Sequence, residues 1–148
     1  MFRRLKLFLV SCLMLITSLG LVAPMQVQAA DCNSGYIEIA PHWSHTASIA
    51  TVISVPQNGV VRMSGTVFGN TGTSHIVVDA VLDRVNPNGT TTTVNRWNNI
   101  RQDGSFWGWS RDWAVARGHH YRWVMVVRTH RNGQVETIVA PSTIIFVP

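Results

Sequence analysis

An all-β fold is what this sequence predicts, and three observations carry the prediction. β-Branched and aromatic residues recur in short runs of alternating polarity, no stretch keeps a helical period, and turn dipeptides separate the runs. Those dipeptides are Asn58-Gly59, Asn88-Gly89, Asp103-Gly104 and Asn132-Gly133, which supply the positive φ that tight hairpins need. Eight or nine short strands at this spacing fit a single antiparallel β-sandwich, like immunoglobulin or fibronectin modules, with a small closed barrel as the alternative.

The chain opens with Arg3, Arg4 and Lys6 ahead of an apolar run over 7–22, followed by Pro24 and the small-residue site Val27-Gln28-Ala29. This is the pattern of a secretory signal peptide, so residues 1–29 are expected to be removed and residues 30–148 to form the mature domain. Export to the extracellular space follows as an expectation, with no stable membrane anchor left after cleavage. Leu9-Val10-Ser11-Cys12 resembles a lipidation box, but it sits inside the apolar core of the signal, which argues against that use.

In the mature region the strands fall at 36–39, 48–55, 60–68, 75–85, 91–97, 105–115, 119–129, 134–140 and 143–147. Pro41, Pro56 and Pro141 lie between them, where a missing backbone donor does no harm. In the fourth strand Ile76, Val78, Ala80 and Leu82 share one face and read as core, with His75, Asp79 and Asp83 on the other. In the seventh, Tyr121, Trp123, Met125 and Val127 form an apolar row. Val124 and Val126 lie between Arg122 and Arg128 on the other face. Apolar residues on both faces mark that strand as central.

The formal charge of +5 misleads about partners. Three of the twelve basic residues lie in the leader, so nine arginines remain against seven acids. That small excess argues against a nucleic-acid binder or a polybasic membrane binder. Cys12 also lies in the leader, leaving Cys32 alone in the mature chain. An intrachain disulfide is therefore impossible, and an intermolecular one through Cys32 is the remaining option.

The sharpest local feature is Phe106-Trp107-Gly108-Trp109-Ser110-Arg111-Asp112-Trp113. In a regular strand Trp107, Trp109, Arg111 and Trp113 share one face, and exposed indoles beside a guanidinium suit sugar rings and anionic groups. The competing reading packs at least two of these indoles into the core, since large aromatics are usually well buried. A bulge at Gly108 would break the common face. Arg122 is a further candidate for the same surface.

Six histidines raise the question of a metal, through His42 with His45 and through His119 with His120. Residues three apart or adjacent on a strand point to opposite faces, so neither pair chelates in extended backbone, and no metal or other cofactor is expected. Asp79 and Asp83 lie roughly 13 Å apart along a strand and cannot flank one scissile bond. Ser110 lacks the surroundings of a nucleophile elbow, and Cys32 sits near a chain end. No catalytic residue emerges.

The segment from Trp113 to Arg122, with Val115, Gly118, Tyr121 and Arg122 in a Val-x-x-Gly-x-x-Tyr-Arg pattern, followed by a strand ending at His130 and a turn before Glu136, resembles small secreted β-domain proteins of Gram-positive bacteria. The resemblance covers about a third of the mature chain and implies secretion and a β-sandwich without implying an activity. The expectation is a non-enzymatic extracellular domain recognising a carbohydrate or cell-wall polymer through Trp107, Trp109, Arg111 and Trp113. Alternatives are a secreted antibacterial or membrane-active effector, and a metal-binding protein or enzyme.

Overall fold

The computed structural model describes residues 37–38 and 43–148. The leader, Cys32 and His42 lie outside the described residues, so the expectations for them have no structural counterpart. Nine strands follow in order: β1 (Ile37–Glu38), β2 (Thr46–Gln57), β3 (Val60–Gly69), β4 (Thr73–Val85), β5 (Thr91–Asp103), β6 (Phe106–Ala114), β7 (His119–Arg131), β8 (Gln134–Pro141) and β9 (Ile145–Val147).

All pairings are antiparallel, and they make two open sheets rather than a closed barrel. One sheet has the order β1-β2-β3-β6 and the other β5-β4-β7-β8, with β9 continuing the edge beyond β8 by pairing with the start of β7. In immunoglobulin lettering, β2 to β8 correspond in turn to A, B, C, C′, E, F and G. Hairpins join β2 to β3, β4 to β5 and β7 to β8 within a sheet. The connections β3–β4, β5–β6 and β6–β7 cross between sheets, which makes a sandwich of the immunoglobulin kind.

The alternation seen in the sequence becomes the two layers. Ile49, Ile53, Val61, Met63 and Val67 face inward from the first sheet, and Ile76, Val78, Leu82, Trp123, Met125 and Val127 from the second, all essentially inaccessible. Gly65 sits where the layers come closest. A Cβ there would lie 2.6 Å from Met125 Sδ and 2.7 Å from Trp123 Cη2, so the backbone of β3 approaches the second sheet only because position 65 lacks a side chain.

The Tyr121 hydroxyl donates to the Ala116 carbonyl at 2.8 Å, five residues upstream at the entrance to β7. This is the tyrosine corner of immunoglobulin-like sandwiches. Val115 N–H donates to Gly59 O and Gly118 N–H to Val147 O, with Gly118 at φ 74°. The Val115, Gly118, Tyr121 pattern is thus the chemistry of the β6–β7 corner, a requirement of the architecture.

β2 and β8 run on to take in Pro56 and Pro141, both expected between strands, and two further elements differ from the sequence expectation. β5 continues six residues past Trp97 to Asp103, through Asn98-Asn99. Register shifts opposite Val78/Ala80 and Leu82/Asp83 absorb the extra residues, and Asn99 sits at φ 55° with its N–H on Asp79 Oδ1 at 2.7 Å. In β6 there is no bulge at Gly108, since pairing with β3 is regular from Val60↔Ala114 to Phe68↔Phe106. Gly108 instead makes room for the Phe106 ring, whose Cζ would lie 2.9 Å from a Cβ there.

Candidate functional site

β5 and β6 are consecutive strands that belong to different sheets, each at the edge, so the chain between Thr91 and Ala114 arches from one sheet to the other at its turn. At the turn the sheets are tied together by backbone bonds, Gly104 N–H to Ser74 O and Gly69 N–H to Ser105 O. Next, the Gln102 side chain takes the place of a strand partner: its amide donates to Gly108 O and accepts from Gly108 N–H, both at 2.9 Å. The Trp107 indole then donates to Ile100 O at 3.0 Å.

Beyond this point the strands separate and indoles fill the gap. Trp97 of β5 packs tilted against Trp109 with centroids 5.4 Å apart, and edge-on against Trp113 at 5.3 Å. Trp109 continues inward to Trp123 at 5.8 Å. The Arg111 guanidinium carbon stands 6.0 Å from the Trp97 ring centroid, within cation–π range. Trp97, Trp109 and Trp113 are half-buried and Arg111 is exposed, so the seam presents aromatic surface and a cation to solvent. It leads into an open depression of about 430 Å³ lined by Arg84, Thr92, Val94, Ala114, Val115, Ala116 and Tyr121.

The electrostatics of the seam are one-signed. Among the described side chains every carboxylate is engaged elsewhere. Asp112 forms a two-pronged pair with Arg62, Asp103 binds Arg101, Asp79 binds Arg128, Asp83 accepts from Thr93, and Glu136 accepts from the segment Ser44–Thr46. Asp112 is held below the usual carboxylate range by its hydrogen bond to Arg62. Arg111 and Arg84 have no carboxylate within ion-pair distance among these residues.

The structure divides the predicted site residues. Trp107, Trp109, Arg111 and Trp113 do share one face, but that face points between the sheets. Trp107 is completely enclosed and its N–H is satisfied by the backbone, which removes it from any surface that a ligand touches. Arg122 is not near the indoles: it lies on the outer face of the second sheet, opposite Asp83 in register, with its Nε 3.9 Å from Asp83 Oδ2. Two residues not anticipated, Trp97 and Arg84, belong to the seam instead. Nothing local marks them, because their neighbours come from strands distant in sequence.

The histidine candidates are dispersed. His45 is buried beside the start of β2, whereas His119 and His120 are exposed at the first residues of β7, where His120 packs against Phe146. Thr46 binds Thr129 near the far end of β7, so these two groups lie roughly 30 Å apart. Among the described residues no three His, Cys, Asp or Glu side chains converge as a metal site. Asp79 and Asp83 stand on the outer face, each occupied by partners within the sheet.

No family model matches the chain. Nor does any curated protein. Among solved structures the chain is similar to the GAE domain of GGA2p from Saccharomyces cerevisiae, at 16% identity and a TM-score of 0.36 over 76% of this chain and 96% of that one.

Proposed function

We propose that the chain is exported through its N-terminal leader and works outside the cytoplasm, as a non-enzymatic module that recognises a carbohydrate or cell-wall polymer along the β5–β6 seam. The observation that supports this reading is the grouping of Trp97, Trp109, Trp113 and Arg111 along the line where the edge strands β5 and β6 of the two sheets meet. Half-buried indoles offer flat, rigid faces at low entropic cost, and sugar rings present the C–H surfaces that stack on them. A guanidinium with no carboxylate partner among the described residues adds directed donors for hydroxyl, carboxylate or phosphate groups. Trp107 and Gln102 hold the two strands behind the indoles and contribute rigidity to the platform.

Residues of a Gram-positive extracellular protein would meet peptidoglycan and its attached polymers first, which makes those the natural probes. Retardation of the mature chain in affinity gels cast with soluble glycans and wall polymers tests the reading. Retardation by one class, lost in Trp113→Ala and preserved in Arg122→Ala, is the expected result. Equal mobility of the native chain in every gel excludes the seam as a polymer site.

A further inference from the structure

On the outer face of the second sheet, away from the seam, His75 of β4 and His130 of β7 are directly opposite in register, and their imidazole rings stack with centroids 4.0 Å apart and planes 17° from parallel. Both side chains are partly exposed. Ser74 fixes the state of this pair. Its hydroxyl lies 3.1 Å from the His130 carbonyl oxygen, which can only accept, so the single Ser74 proton is directed there. The same oxygen is 3.0 Å from His75 Nδ1 and must accept from it. In the neutral ring this bond selects the Nδ1–H tautomer, which leaves Nε2 as the nitrogen with the free lone pair. A second ring-nitrogen bond of this kind is the usual support of a metal-ligating histidine.

We infer that His75 and His130 form a two-histidine site for a borderline divalent cation, Zn²⁺ being the probe, with water completing the coordination shell. Imidazoles directly opposite on neighbouring antiparallel strands bring ring nitrogens close without a turn or loop, and imidazole is a preferred ligand of zinc and copper. A shared ion requires the two rings to turn out of their stack, and their partly exposed positions on the outer face leave room for that. The charges around the pair are Arg101 and Asp103 on β5 and Arg128 and Asp79 on β4 and β7, and each guanidinium is already matched by its carboxylate. Across β7, the residue opposite His130 on β8 is Val135, which adds no charge. The site is independent of the seam and of any polymer that binds there.

Zinc titration of the untagged mature chain, followed by calorimetry and by the histidine ring NMR signals, tests the assignment. One equivalent should bind with shifts at His75 and His130, and binding should fall at least tenfold in His75→Gln and in His130→Gln. Ser74→Ala should weaken it by about tenfold, the size of effect expected for losing a supporting bond to a ligand. Circular dichroism of each variant reports that the sandwich is retained. Zinc binding that survives both histidine substitutions, or its absence at millimolar zinc in the folded native chain, overturns the inference.

Discussion

Tyr121 illustrates how a single side chain fixes a corner. Its ring is buried in the core while its hydroxyl satisfies the Ala116 carbonyl, so Tyr121→Phe keeps the packing and removes one hydrogen bond. Such a loss costs about 1 kcal/mol, read as a lower urea midpoint at unchanged m value. Gly65→Ala places a methyl against Met125 and Trp123 and is expected to cost about 1–3 kcal/mol by overpacking. Glu136 ties the start of β2 to β8 by accepting from the Ser44, His45 and Thr46 N–H groups. Burial pushes its carboxyl up, but the bonds from Ser44, Thr46 and His45 outweigh burial and hold it below the ordinary value. A carboxylate with a depressed folded pKa stabilises above its unfolded pKa, and that contribution disappears as pH falls through the folded one. Glu136→Gln should therefore flatten the loss of stability between about pH 5 and 3, the range around an ordinary glutamate, in thermal melts against pH.

Strand existence was legible because alternation and turn chemistry agreed. Asn132-Gly133 joins Arg131 and Gln134 as a two-residue loop with φ 51° and 75°, the left-handed pair that closes a twisted hairpin. The pattern of alternation places the end of β5 at Trp97, and only a partner strand reveals that Asn99 is a bulge held on Asp79 and Arg128 within a longer strand. Asn99→Ala should cost about 1–2 kcal/mol from the left-handed backbone alone, whereas Asn99→Gly relieves it, a contrast that denaturant unfolding resolves. The face shared by Trp107, Trp109, Arg111 and Trp113 was likewise readable from period two. Which way that face pointed was not, because burial depends on the opposite sheet. The same limit hid Trp97 and Arg84, whose neighbours are distant in sequence, and the pairing of His75 with His130, which needs the register of β4 on β7.

For the whole molecule the decisive feature is that two consecutive strands part into different sheets and leave an indole-lined seam between them. Trp107 closes the inner end, and Trp107→Ala should destabilise the fold by about 3–5 kcal/mol as an unfilled core position does. Trp97, Trp109 and Trp113 close the outer part with their edges still in solvent, which is where a binding surface and a structural seal coincide. A seal alone and a seal that also binds differ in one observable. Tryptophan emission of the mature chain, measured with acrylamide and then during titration with glycans and wall polymers, separates them directly. A binding seam predicts a quenchable fraction that a polymer protects saturably, with the effect abolished in Trp113→Ala and Arg111→Ala. Emission that is uniformly shielded from acrylamide and unchanged by every polymer would contradict it.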